Sequence, residues 1–298
     1  MNFDYSKIKN PIFHFDKYDL RDPAVFIHEE KVYLYFTWYD AENDKWYVGM
    51  TQTEDFINFS EVKIITPPCY ASPGNIMKVE NKFIICFQRY GITPNMIALA
   101  WSEDLVNWSE PELIFNTGAE NKWNLDVRTI DPYIVKHDRQ YYCFYTGSKP
   151  PVDDKCGCNL IGLAKSPDLK NWQDISLEKP ALDMEYEWEK PDGVENNCVI
   201  RLKNGKWFML YSASLRNQKI AWATSNDLIS WEKGGLCNIP EFPGTTCKSA
   251  PFIIENLSDE NTWHLLYHSA DPDPDRKNIW HQNTSFYLLE SKDLINWY

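Results

Sequence analysis

Ser102-Glu-Asp-Leu-Val-Asn-Trp108 is one of five versions of a single phrase. The others are Thr53-Glu-Asp-Phe-Ile-Asn-Phe59, Ser166-Pro-Asp-Leu-Lys-Asn-Trp172, Ser225-Asn-Asp-Leu-Ile-Ser-Trp231 and Ser291-Lys-Asp-Leu-Ile-Asn-Trp297. A repeat of long period fixes architecture before any local propensity does. The starts lie 49, 64, 59 and 66 residues apart, which is room for about four short strands with their loops, one propeller blade. The expectation is an all-β chain folded as one five-bladed β-propeller over residues 1–298, with blades near 11–66, 67–117, 124–180, 190–240 and 245–298.

Upstream of the phrase each repeat carries an apolar strand, a polar turn and an aromatic-rich strand. Pro23-Ala-Val-Phe-Ile27 precedes Lys31-Val-Tyr-Leu-Tyr-Phe36, and Pro132-Tyr-Ile-Val135 precedes Gln140-Tyr-Tyr-Cys-Phe-Tyr145. Cys198-Val-Ile-Arg201 leads through Lys203-Asn-Gly205 into Trp207-Phe-Met-Leu-Tyr211; the Asn-Gly pair predicts a type I′ hairpin turn. A third strand follows, as in Met96-Ile-Ala-Leu-Ala-Trp101. The phrase then reads as the turn to the outermost strand, its Asp accepting from nearby backbone N–H groups and its Trp capping the blade edge. The last phrase ends at Trp297, so the final blade lacks an outermost strand of its own. Pro11-Ile-Phe-His14 is a candidate to supply structure at that seam.

The formal charge is −13 at pH 7, and no segment concentrates Lys and Arg enough to follow a phosphate backbone. Nucleic acid is therefore excluded as an expected partner, and the acidic surface is read as a solubility feature. No run of 18 apolar residues occurs, so no membrane partner is expected. The N-terminal residues lack a basic region followed by an apolar stretch, which makes a cytoplasmic location the expectation. Several of the eight Cys lie in apolar strand-like runs and read as small buried hydrophobes. Cys156-Gly-Cys158 has no zinc-like spacing and no second ligand pair, so no metal or other cofactor is expected.

In a propeller the starts of the innermost strands converge on one funnel, however far apart they lie in sequence. The first blade begins Leu20-Arg-Asp-Pro-Ala-Val-Phe26 and the third Thr129-Ile-Asp-Pro-Tyr-Ile-Val135, which puts Asp22 and Asp131 at equivalent positions. The fourth reads Asp192-Gly-Val-Glu-Asn-Asn-Cys-Val-Ile200, with Glu195 near the same strand start. Ser72-Pro73 and Ala250-Pro251 stand there in the second and fifth blades. Asp-Pro is also an ordinary turn dipeptide; what singles these acids out is their joint placement.

With these residues the chain resembles glycoside hydrolase family 43 over essentially its whole length, and more broadly the five-bladed propeller glycosidases that include family 32. The resemblance rests on the five repeats, Arg-Asp22-Pro, Ile-Asp131-Pro, and Glu195 before a Val-Ile strand and Lys-Asn-Gly-Lys-Trp-Phe. It implies Asp22 as general base, Glu195 as general acid and Asp131 as the residue that orients the acid and raises its pKa. Inverting cleavage needs such a set: one protonated carboxyl for the leaving oxygen and one carboxylate to activate water from the opposite face. The sequence departs from the family at the acid, where Glu-Gly-Pro is usual and Glu195-Asn-Asn stands here, leaving Glu187, Glu189 and Asp192 as substitutes. It departs again at Cys247-Lys-Ser-Ala-Pro251, where the family often has a His associated with a central calcium. The family 32 phrase Trp-Met-Asn-Asp-Pro-Asn is missing, which argues against a sucrose- or fructan-type enzyme.

Further pocket candidates are Arg21, Trp38, Arg89, Tyr90, Arg128, Tyr145, Arg216 and His268, with Trp38 as a sugar platform and His268 similar to the Tyr-His of the family's fifth blade. The leading expectation is an inverting, exo-acting glycosidase on arabinofuranosyl, xylosyl or related linkages of short oligosaccharides. The alternatives are a phosphorylase, which needs a basic pocket from Arg89, Arg128 or Arg216, and a carbohydrate-binding propeller without turnover.

Overall fold

The computed structural model describes residues 3–15, 18–40, 42–92, 94–149, 158–215, 217–245, 247–255, 257, 261–271 and 283–298. Of the residues singled out above, Arg216 and Cys156 lie outside this set.

The described residues form five antiparallel sheets, with two single-turn 3-10 segments among them at Tyr5–Lys7 and Glu187–Glu189. A short strand, β1 (Phe13–His14), comes first. The first blade is β2 (Tyr18–His28), β3 (Lys31–Asp40), β4 (Lys45–Thr53) and β5 (Lys63–Ile64). The second has a broken inner strand, β6 (Tyr70–Ala71) and β7 (Ile76–Val79), both paired with β8 (Lys82–Arg89), then β9 (Met96–Ser102) and β10 (Glu112–Phe115). The third is β11 (Ile130–His137), β12 (Gln140–Lys149), β13 (Cys158–Ser166) and β14 (Gln173–Asp174). The fourth is β15 (Val194–Arg201), β16 (Trp207–Ala213), β17 (Lys219–Ser225) and β18 (Trp231–Leu236). The fifth is β19 (Cys247–Ile254), β20 (Trp263–Asp271) and β21 (Asn283–Ser291). The inner strands β2, β11, β15 and β19 abut their neighbours around the axis, which gives the five-bladed β-propeller.

The repeated phrase is the turn after the third strand. In four of the five copies its Ser or Thr hydroxyl accepts the N–H three residues on, as Leu105 N–H to Ser102 Oγ at 2.9 Å, and in all five its Asp accepts the N–H groups two and three residues on, as Val106 and Asn107 N–H to Asp104 Oδ1 at 2.9 and 2.7 Å. The Asn107 N–H, foremost, draws the Asp104 carboxyl down to about 2. Between them sits a buried apolar residue in the left-handed region, Phe56, Leu105, Leu169, Leu228 or Leu294, with φ of 56 to 68°. The loop's own polar groups hold this strained backbone while the side chain plugs the blade.

The fifth sheet is completed from the other end of the chain. β1 pairs with β21, Phe13 opposite Phe286 and His14 opposite Ser285. Residues 13–14 therefore belong to the fifth blade, not to the first blade that was expected to begin at 11. Asn10 adds two bonds to the Leu288 backbone at 2.9 Å each. Phe13 packs among Phe15, Phe36, Phe59 and Phe286 with ring centroids 4.7 to 6.0 Å apart. Phe13→Ala is expected to cost about 3–5 kcal/mol, the usual penalty for emptying a buried Phe site. A urea midpoint unchanged from wild type would show the seam to be unimportant.

The Asn-Gly expectation fails in its turn type. Only Gly205 of that loop has positive φ, at 87°, and its N–H bonds to Leu202 O at 2.9 Å, so a tight turn is followed by a left-handed glycine. Positive φ at both central residues occurs instead at Glu29–Glu30 and Asp138–Arg139. Strand pairing on either side evidently outweighs local preference there.

Candidate active site

Every blade interrupts its inner strand at the same place. The residue there is in the left-handed region: Asp22 (φ 52°), Ser72 (49°), Asp131 (48°), Asn196 (45°) and Ala250 (48°). Four blades follow it with Pro and the fourth with Asn197. The residue before it pairs with the second strand as Arg21 opposite Thr37, Ala71 opposite Gln88, Ile130 opposite Thr146, Glu195 opposite Ser212 and Ser249 opposite His268. Asp22 and Asp131 are thus equivalent, whereas Glu195 is one residue out of frame and matches Arg21. The position after it needs φ > 0, which Gly takes freely and Asn tolerates better than most residues. Glu195-Asn-Asn therefore presents its Glu on the same local bend that the usual Glu-Gly-Pro would supply.

A funnel of about 820 Å³ opens over these strand starts. Asp22, Asp131 and Glu195 all line it, with Arg21, Tyr90, Arg128 and His268. Asp22 Oδ2 accepts from Thr37 Oγ1 at 2.7 Å and Ser72 Oγ at 3.0 Å. Glu195 is held on both oxygens, Oε2 by Asn159 Nδ2 at 2.6 Å and Oε1 by Gln218 Nε2 at 2.7 Å. Burial raises the Asp22 carboxyl, opposed by Thr37, Arg21 and Ser72. It also raises Glu195, opposed by Arg128 and then by the two amides. Asp131 is pushed up to about 8 by burial and then by the charges of Glu195 and Asp22, with Arg128 working against them. At neutral pH the free protein keeps a proton on Asp131, since three carboxylates this close together do not all ionise. His268 is 6% exposed, and burial, followed by Arg21, brings its imidazole down to about 3, so the ring is neutral.

The remaining candidates separate. Trp38 does not line the funnel: its ring packs on Phe15 and Phe36, 5.3 and 6.1 Å between centroids. Strand parity explains this, because Thr37 and Tyr39 face the cavity and the residue between them faces the other side. The aromatic wall is instead Tyr39, Trp46 and Tyr90, with Tyr39 and Trp46 4.3 Å apart. Trp46 stands opposite Tyr39 across the β3–β4 hairpin, a register that would have found it. Arg89 is turned away, its guanidinium donating to Cys69 O at 3.0 Å and Tyr90 O at 2.8 Å over the Tyr70 ring. Tyr145 is fully buried and bonds Asp174 at 2.7 Å, a packing role shared by Phe36, Phe87, Tyr211 and Tyr267 at the same repeat position.

The substitutes for Glu195 lie elsewhere. Glu187 is exposed and pairs with Lys190. Glu189 is fully buried and takes Tyr211 at 2.9 Å and Lys233 at 2.5 Å. Asp192 accepts from Ser214 and the Leu215 N–H. Of the residues that hold the carboxylates, Ser72 was marked only as the second blade's neutral counterpart of Asp22, and Thr37, Asn159 and Gln218 carried no sequence signal of their own.

No family model matches the chain. Among solved structures, a thermostable family-43 glycoside hydrolase is 19% identical with a TM-score of 0.71, covering 93% of this chain and 91% of that one. The α-L-arabinofuranosidase from Lactobacillus brevis is 17% identical with a TM-score of 0.69, covering 97% and 94%. A family 62 hydrolase in complex with xylotriose is 13% identical with a TM-score of 0.69, covering 95% of each chain. A 1,2-β-oligomannan phosphorylase from Thermoanaerobacter sp. (strain X514) is 30% identical over 190 residues, 61% of this chain. The match spans 56% of that relative's length. At these levels of identity the solved structures speak to fold: the chain is a five-bladed β-propeller similar to the family 43 and family 62 glycosidases.

Proposed function

We propose that the chain cleaves a glycosidic bond of a short oligosaccharide by a single inverting displacement in the funnel. The observation that carries this is two buried carboxylates, Asp131 and Glu195, and a half-buried one, Asp22, with dissimilar partners, converging in one cavity large enough for several sugar rings. Glu195, on the Asn159–Gln218 side, donates its proton to the leaving oxygen as the bond from the anomeric carbon breaks. Asp22, across the funnel, takes a proton from the incoming water. In the free protein Asp131 holds the proton of the trio; once that proton resides on Glu195, the Asp131 carboxylate left behind disfavours ionisation of the acid until the leaving oxygen takes the proton.

The reading with water as acceptor is supported by Asp22, whose carboxylate is fixed by two hydroxyls in the lining, as a positioned base would be. Phosphate is the second reading, supported by the phosphorylase relative and by Arg21 and Arg128 in the lining. Phosphate would attack directly and leave as the sugar 1-phosphate, without need of a base. Five acidic side chains line the same funnel, Asp22, Asp44, Asp126, Asp131 and Glu195, and even with Asp131 and Glu195 protonated the rest outnumber Arg21 and Arg128, which weighs against a doubly charged acceptor.

Purified protein is to be assayed on arabinofuranosides, xylosides and 1,2-β-linked mannooligosaccharides, with and without inorganic phosphate. Free sugar formed equally in both supports hydrolysis, and sugar 1-phosphate formed only with phosphate supports phosphorolysis. No turnover together with saturable oligosaccharide binding would replace both with a binding propeller.

A further inference from the structure

The left-handed residue in each blade turns its amide N–H out of its own hairpin. Four of these amides are taken up by a side chain of the preceding blade. Ser72 N–H donates to Thr37 Oγ1 at 2.7 Å, Asp131 N–H to Gln88 Oε1 at 2.9 Å, Ala250 N–H to Ser212 Oγ at 2.9 Å and Asp22 N–H to His268 Nδ1 at 3.3 Å. The four acceptors occupy one repeat position on β3, β8, β16 and β20, fixed by the pairings given above. Blade one thus holds two, two holds three, four holds five, and five holds one. At the remaining seam the position is Thr146, whose buried hydroxyl takes up no such amide.

Two of the four clamped residues are Asp22 and Asp131. An Asp carboxylate stands one carbon beyond Cβ, so its place follows φ and ψ closely, and φ near 50° is a conformation a non-glycine residue leaves unless held. Glu195 lies outside the left-handed position and is held through both carboxylate oxygens, whereas Asp22 is held at Oδ2 and at its backbone N–H. We propose that His268 and Gln88 are positioning residues of the active site, each fixing the carboxylate of the next blade through that blade's backbone N–H. This rests on reading Asp22 and Asp131 as the reacting acids. Since an amide N–H only donates, His268 Nδ1 is the acceptor, and in the neutral ring the proton sits on Nε2.

The two nitrogens are separable by substitution. His268→Asn places a carboxamide oxygen near the site of Nδ1; His268→Gln reaches the site of Nε2 and leaves the clamp open. The expected order is a kcat loss within about tenfold for H268N and about 100-fold for H268Q, with KM nearly unchanged, the size of loss that a misplacement of about 1 Å produces. The opposite order would assign His268 to substrate contact through Nε2 and overturn the proposal. A second readout is independent of any sugar: amide hydrogen exchange in the intact protein. Exchange is expected to quicken at Asp22 in H268Q but not in H268N, and at Asp131 in Gln88→Met but not in Gln88→Glu, which keeps the acceptor. Unchanged exchange at Asp22 in H268Q and at Asp131 in Q88M would dispose of the clamp. Quickened exchange in a protein that turns over no glycoside would leave the clamp standing and remove only the catalytic reading.

Discussion

Glu195→Gln is expected to lower kcat by between about 100- and 10,000-fold, the range for loss of a positioned general acid. The volume is unchanged, and Asn159 and Gln218 are amides that can each rotate to offer oxygen in place of nitrogen to the new carboxamide, so KM should move little. Substrates with good leaving groups should be spared most, because they need the least protonation at the departing oxygen. Equal rates for variant and wild type on an alkyl glycoside would take Glu195 out of proton transfer. Asp22→Asn belongs beside it, because it separates the acceptors: hydrolysis loses its base and falls comparably, whereas phosphorolysis supplies its own nucleophile and should be much less affected.

Asp131→Asn is expected to abolish most activity and yet stabilise the fold at alkaline pH. The folded protein keeps the Asp131 proton up to about 8, whereas an unfolded Asp loses it near ~4. Between those values the folded state binds more protons than the unfolded, so stability is fully present at low pH and is lost as pH rises through about 8. Asn carries no proton to lose. The Tm of the variant should therefore exceed that of wild type at pH 8 by several degrees and converge with it near pH 4, where 1 kcal/mol corresponds to roughly 2–4 °C for a domain approaching this size. A constant difference across that range would mean that Asp131 titrates ordinarily and that burial at the funnel floor is less complete than the geometry implies.

Much of the architecture was legible because it repeats. The phrase with its left-handed Leu or Phe obeys the same local chemistry five times, and any one copy would have been a mere turn. The three acids were legible as a group for the same reason, although Glu195 sits one residue out of frame with the two Asp, a shift that spacing alone does not reveal. Trp38 was misassigned because side-chain parity in β3 depends on a register that only the paired strand defines. The clamping role was invisible, although His268 stood out as a pocket candidate: Thr37, Gln88, Ser212 and His268 share a position and a task but no chemical type beyond an acceptor atom. Hydroxyl, carboxamide and imidazole do not read as a repeat. Arg89 and Tyr145 look like pocket residues in one dimension because carbonyl partners and a buried Asp174 come from distant segments.

The strand that completes the fifth blade has a consequence for biosynthesis. Phe13 and His14 leave the ribosome some 270 residues ahead of the strand they pair with. Until β21 emerges the first segment therefore carries an aromatic side chain and an open strand edge with no partner, and the ring closes only when that strand arrives. Early blades must assemble beside a tail that is at risk of pairing with a neighbouring nascent chain. Dense polysomes would then favour ring closure between chains over closure within one, and slower initiation should raise the yield of monomer.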